Sequence, residues 1–159
     1  MTTTTNDERA LLDQFLDEAR AEVVETLVGL TEEQARRRLV PSLTTPLGLV
    51  THLTFVEQVW FQVVLSGRTR RELGLPAEVD PTFVPDASAT VASTLAAYAQ
   101  TCAESRAVAA AYELDHEAAH HRLGTVSLRW IYLHLLRELN RHAGHADILR
   151  EQVLASSEG

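Results

Sequence analysis

The chain has 159 residues, of which 45% are hydrophobic and 23% charged, and its net charge is −8. This size and composition indicate one globular domain over residues 1–159 and exclude a disordered chain, and the acidic balance argues against a nucleic-acid partner, which needs clustered basic residues. No stretch approaches the ~18 consecutive apolar residues of a membrane span, and the start lacks the pattern of a signal peptide, so we expect a cytoplasmic protein with no membrane partner.

Helical periodicity marks four long segments, and no segment alternates with a period of two over a useful length. The first long helix is predicted over residues 7–29, and a capping box then starts a short helix over 31–39. A threonine N-cap followed by proline opens the second long helix, over 44–67. The third is predicted over 87–114, and a serine N-cap opens the fourth, over 127–154. We therefore expect an all-α fold.

The long connections differ in character. Residues 74–85 carry three prolines and predict an irregular crossover. The loop that ends at Gly124 contains His116, His120 and His121 among charged residues. We interpret these histidines as solvated surface, with a lid or a secondary metal contact as the alternative. Because each apolar stripe must be buried against another helix, the four long helices are expected to pack as a four-helix bundle.

The last helix carries the strongest chemical signal of the sequence. His134, Glu138, His142 and His145 follow one another at spacings of four, four and three, so they share one face, which also carries apolar residues. Burying such groups unpaired would cost several kcal/mol, and one metal ion can partner several of them. The alternative is a set of core histidines hydrogen-bonded to Glu138 and neighbouring arginines. A cysteine-rich site is excluded, because Cys102 is the only cysteine and is interpreted as a packing residue.

A metal site on one helix needs a ligand from another. His52 is the candidate, since it lies within an apolar and inward-facing part of the second long helix. The alternative interpretation of His52 is a lone core histidine, which would be preferred if the last helix lacked its motif.

Two segments, 46–61 and 126–151, resemble the DinB-like superfamily, in particular its actinobacterial branch of mycothiol-dependent transferases. The similarity extends in order and spacing over nearly the whole chain. It implies an antiparallel four-helix bundle of the DinB/YfiT type, often a homodimer. It also implies a divalent metal held by a histidine of the second helix and two residues four apart in the last.

Carried over residue by residue, the resemblance places His52 on the second-helix ligand and Glu138 and His142 on the last-helix pair, with Gly144 on the glycine that follows. The family's three-histidine form has a histidine where this chain has Glu138. His145 is therefore an alternative third ligand, a fourth ligand, an orienting residue or a general base. Two histidines and a carboxylate suit zinc, nickel or ferrous iron.

A metal with three protein ligands keeps open coordination positions, where a thiol can bind. The ion lowers the pKa of the bound thiol and so converts it to its thiolate. The resemblance implies that the thiol is mycothiol or a similar small thiol and that the acceptor is an electrophilic small molecule. The sequence thus predicts a metal-dependent thiol S-transferase. The alternatives are a non-catalytic metal-binding sensor or stress module, a structural bundle, and an isomerase that uses the thiol as a cofactor.

Overall fold

The computed structural model describes residues 7–156. Its α-helices are α1 Glu8–Glu25, α2 Glu32–Arg36, α3 Pro46–Glu57, α4 Val91–Ala109 and α5 Leu128–Ala155. A π-helix, Gln58–Leu65, continues α3, and a 3₁₀ turn, Asp80–Phe83, lies in the crossover between α3 and α4. Two short strands, β1 Glu117–His120 and β2 Gly124–Ser127, precede α5. The expectation of a mostly helical protein is confirmed.

The helix starts follow from local sequence. Each α-helix has an N-cap side chain that accepts a hydrogen bond from a backbone amide of its first turn, and these residues are Asp7, Thr31, Thr45, Thr90 and Ser127. The predicted capping box and the predicted threonine–proline start are both present. These caps fix where α2, α3 and α5 begin.

The third long helix was predicted to start too early. Residue Asp86 accepts hydrogen bonds from the amide and hydroxyl of Ser88, which holds the chain in a turn there. The helix then begins after Thr90, whose side chain forms a capping box with Ser93. Turn chemistry therefore moves the start of the helix from residue 87 to Val91, and the helix ends at Ala109, before the predicted residue 114.

The predicted second helix, 44–67, is not α-helical throughout, because its last part is the π-helix. There the amide of Ser66 donates to the carbonyl oxygen of Phe61, five residues back, at 3.1 Å. The wider turn of a π-helix rotates the residues beyond Glu57 relative to α3. Glu57 is fully buried against α1, while Trp60 lines a cavity.

The histidine-containing loop was also predicted incorrectly, because it is a β-hairpin. β1 and β2 pair antiparallel, with Ala118 opposite Val126, and both of these side chains are buried. Gly124 follows the turn with φ 77°, a conformation that favours glycine. Four-residue strands are too short to give a readable alternation in the sequence.

The helices bury a common core. α1 packs along α5, and α3 packs along α4. The core includes Leu16, Val23, Leu53, Phe61, Leu135 and Leu139. Cys102 is buried in this core as predicted, and burial raises the pKa of its thiol to about 12.

One charged pair lies inside this core. The Arg20 guanidinium donates from Nε and Nη2 to both carboxylate oxygens of Glu57, each at 2.8 Å. Breaking such a buried pair typically costs about 3–5 kcal/mol, because it leaves one charge unpaired. The pair therefore fixes α1 against the end of α3.

The segment Pro46–Leu65 is long and apolar enough to cross a membrane by composition alone. However, 72% of its most apolar window is buried inside the structure, as in the central helix of a folded domain.

Gly48 permits a close approach between α3 and the crossover. A Cβ at this position would lie 2.3 Å from the carbonyl oxygen of Phe83. We expect Gly48→Ala to lower the free energy of unfolding by about 1–3 kcal/mol in urea titrations, because the backbone must move to admit the methyl group.

The matched control is Gly144→Ala in α5, where an added Cβ meets nothing within 4 Å. This change is expected to stabilise the protein by about 0.5–1 kcal/mol, because alanine is the better helix former. Equal stability of the Gly48→Ala variant and the wild type would contradict the close contact.

Candidate metal centre

Three ionisable side chains from two helices meet at one point of the core. His52 comes from α3, and Glu138 and His142 come from successive turns of α5. One ligand atom from each lies within 4.8 Å of the other two. The helical spacing of four residues thus places two donors on the side of α5 that faces His52, and the three together could hold a metal ion.

A hydrogen bond fixes the orientation of His52. Its Nδ1 lies 2.8 Å from the hydroxyl oxygen of Thr82 in the 3₁₀ turn. That hydroxyl donates its only hydrogen to the carbonyl oxygen of Val79 at 2.5 Å, so its oxygen accepts a hydrogen bond from Nδ1–H of His52. The neutral ring then carries its free lone pair on Nε2, which is the form a metal ligand needs.

Aromatic packing holds the same ring in place. The Phe83 ring stacks on His52 with centroids 3.9 Å apart and an angle of 13° between the planes. The His142 ring meets His52 edge-on, with centroids 5.0 Å apart and an angle of 74°. The crossover therefore supplies both a hydrogen bond and a stacking face to the same histidine.

The donors on α5 are incompletely satisfied by the protein. His142 Nε2 lies 3.6 Å from Glu138 Oε2, beyond good hydrogen-bond distance. Its Nδ1 is buried and has no hydrogen-bond partner among residues 7–156. Such an atom costs about 1–3 kcal/mol. A bound ion would partner the carboxylate of Glu138 and one ring nitrogen of His142, so the donor chemistry of the site fits a divalent metal.

The electrostatics favour neutral imidazoles. Burial, aided by nearby His142, lowers the pKa of His52 to about 4. Burial also lowers the pKa of His142, although the carboxylate of Glu138 partly offsets this effect. Both rings are then unprotonated at neutral pH, and metal binding does not have to displace a proton from either of them.

The other two histidines of the α5 motif lie outside this group. His145 is exposed, and its ring centroid is 5.6 Å from that of His142. His134 is half-buried and stacks on Trp130 with centroids 4.9 Å apart. The structure therefore brings together three of the four residues considered as ligands, without His145.

A cavity of about 790 Å³ opens directly onto the three donors. Its walls come from α3, the π-helix, the crossover, the hairpin and α5. His120 of the hairpin is half-buried there and stacks on Trp60, with centroids 5.0 Å apart and an angle of 6°. The interpretation of His120 as solvated surface is thus corrected, whereas His116 and His121 are exposed as expected.

Sequence reasoning missed Thr82, Phe83 and the role of the hairpin. Thr82 lies among prolines in an irregular segment, where no periodicity indicates the direction of a side chain. The proline-rich composition of the crossover predicted an irregular connection and gave no sign that it lies against His52.

The fold and the site define a mostly helical protein with a two-histidine, one-carboxylate donor set beside a cavity. The family model of the mycothiol S-transferases matches residues 11–155, so the chain belongs to that family, and the resemblance found in the sequence is confirmed. No curated protein matches the chain.

The hydrogen bond of Thr82 gives a test of the site. We expect Thr82→Val to weaken zinc binding by about 10- to 100-fold, because the His52 ring loses the group that fixes its tautomer and orientation. The measurement is competition for zinc against a chromogenic chelator. The Thr82→Ser variant keeps the hydroxyl and should bind close to wild type. Equal zinc affinities for the valine and serine variants would contradict this role.

Proposed function

We propose that this protein is a divalent-metal-dependent transferase that activates mycothiol, or a similar low-molecular-weight thiol, for attack on an electrophilic small molecule. The proposal rests on one observation: His52, Glu138 and His142 lie close together and line a large cavity. Membership of the mycothiol S-transferase family supports the thiol and the transfer reaction.

In this proposal His52, Glu138 and His142 hold the ion, with zinc as the first choice and nickel or ferrous iron as alternatives. When bound, the ion supplies a Lewis acid that lowers the pKa of the thiol and favours the thiolate as nucleophile. The neutral histidines contribute two uncharged donors, and Glu138 contributes one negative charge. The site therefore keeps a net positive charge that favours an anionic sulfur.

The protein's own groups position the reactants. Phe55, Val56 and Val59 form an apolar wall of the cavity, which excludes water from the sulfur and strengthens its interactions. His145 remains our prediction for the general base. Its ring is exposed beside His142, so a proton reaching it can pass to bulk water.

We further propose that residues 1–159 form a single cytoplasmic domain whose four long helical segments make an antiparallel four-helix bundle. The mutual packing of α1 with α5 and of α3 with α4 supports this arrangement. A homodimer is proposed as well. The exposed apolar side chains of Leu133 and Ile148 on α5 support it.

The direct test is transfer of mycothiol to a fluorogenic chlorobimane by zinc-loaded protein. We expect rates well above the uncatalysed reaction, and a loss of at least about 100-fold in the His52→Ala and Glu138→Gln variants, because each variant removes a ligand of the ion. The exposed His116, which does not line the cavity, provides the control as His116→Gln.

A zinc-loaded protein that transfers neither mycothiol nor other small thiols to any of several electrophiles would contradict the transferase. That result would leave a metal-binding module as the better description.

A further inference from the structure

The lining of the cavity beside the candidate metal centre is positively charged, whereas the chain as a whole is negatively charged. The whole chain carries −8, yet the cavity is lined by Arg70, Arg122 and Arg141. Glu138 is the one carboxylate among the described lining residues, and the proposed function assigns it to the ion. The cavity therefore presents three cationic groups that the metal site does not use.

These three arginines are not neutralised by the protein. Within residues 7–156 none of them forms an ion pair with a carboxylate, whereas Arg20 and Arg129 each pair with two acidic side chains. Arg70 Nη1 donates to two backbone carbonyl oxygens of the crossover, and its guanidinium lies 5.3 Å from the centre of the Phe55 ring. These contacts hold Arg70 in place without cancelling its charge.

Stacked aromatic rings form the wall of the cavity beside the arginines. The His120 ring is nearly parallel to the Trp60 ring, and His121 stacks on His120 with centroids 4.6 Å apart. The backbone amides of Arg122 and Leu123 both donate to His120 Nδ1 at 3.2 Å. The neutral ring therefore carries its proton on Nε2, and the hairpin offers an N–H donor at the edge of an aromatic surface.

Mycothiol does not account for these features. Its sugar and cyclitol hydroxyls and its amide groups are uncharged at neutral pH, and its sulfur is the only ionisable group. One thiolate at the ion leaves the three guanidinium groups without an anionic partner. Their charge points to the second substrate.

We propose that this cavity binds a planar organic carboxylate, aromatic or conjugated, as the electrophilic co-substrate of the transfer. The proposal rests on the proposed function. The carboxylate would be held by Arg70, Arg122 and Arg141, and the flat part would pack on the edges of the Trp60 and His120 rings, whose facing planes are stacked on each other. In a substitution reaction the sulfur forms a bond to the activated carbon, and the leaving group departs with the electron pair of its bond.

Binding can be measured apart from catalysis. Trp60 lines the cavity, and Trp130, the other tryptophan of the chain, lies beside it with ring centroids 5.3 Å apart, so tryptophan fluorescence reports on binding in the cavity. Benzoate and benzamide have nearly the same shape and differ in charge. We expect the purified zinc-loaded protein to bind benzoate about tenfold more tightly, as hydrogen bonds to a charged group suggest.

The arginines are tested by Arg70→Gln, Arg122→Gln and Arg141→Gln, singly and together. The triple variant should lose the preference for benzoate while binding benzamide as before. Arg71→Gln is the matched control, because Arg71 is exposed and does not line the cavity. Zinc content is measured for every variant and binding is compared at equal zinc occupancy, so any direct binding of the carboxylate to zinc adds the same preference to all of them. Equal binding of the two ligands by the wild type, or a preference in the triple variant as large as in the wild type, would overturn the proposal.

A catalytic comparison separates this inference from the proposed function. The electrophiles are 4-chloro-3,5-dinitrobenzoate and its amide, each rate being divided by the uncatalysed rate with the same thiol. We expect a higher normalised kcat/KM for the carboxylate, and loss of that advantage in the triple arginine variant. Transfer without such a preference would overturn only the inference. Arginine-dependent binding of benzoate without any transfer would contradict the transferase and leave the carboxylate site in place.

Discussion

The hydrogen bond between His52 and Thr82 connects the irregular crossover to the chemistry of the core. It requires the 3₁₀ turn to lie against α3, and Gly48 permits this by leaving no side chain where the chain passes closest. Phe83, next in the turn, stacks on the same imidazole. The His52 ring thus has a fixed tautomer and a fixed plane. The two donors of α5 therefore face a His52 Nε2 whose orientation is already set.

The core contains two groups of polar side chains, one beside α1 and one beside α5. On the α1 side, the charges of Arg20 and Glu57 are paired through two short hydrogen bonds. On the α5 side, the buried imidazole of His52 and the half-buried imidazole of His142 have lowered pKa values, and one nitrogen of His142 has no hydrogen-bond partner in the part of the chain that the structure describes. The first arrangement is satisfied within the protein, whereas the second leaves donors for an additional partner, as expected of a binding site. The change from α3 to the π-helix lies between these two groups. It allows Glu57 to face α1 while Trp60 faces the cavity.

Local signals predicted the starts of α1, α2, α3 and α5, because a cap depends on three or four adjacent residues, whereas the turn at Asp86 made the predicted start of α4 too early. The spacing of four in α5 also predicted that Glu138 and His142 share a face. It did not exclude His145, which lies seven residues after Glu138 and so has nearly the same angular position on the helix, but His145 is exposed and is not part of the group. The strands of the hairpin have only four residues each and are too short to show an alternation. The approach of Thr82 to His52 joins residues 30 positions apart in the chain. Such contacts leave no periodic pattern in the sequence.

The central claim is that His52, Glu138 and His142 hold one divalent ion. The most direct test is the metal content of protein purified without an affinity tag, by elemental mass spectrometry, for the wild type and for alanine substitutions of His52, His142 and His145. We predict about one equivalent in the wild type and in His145→Ala, and its loss in His52→Ala and His142→Ala. Absence of metal from the wild type, with no uptake when zinc, nickel or ferrous iron is added, would contradict the account. Loss of metal in His145→Ala with retention in His52→Ala would contradict the ligand set.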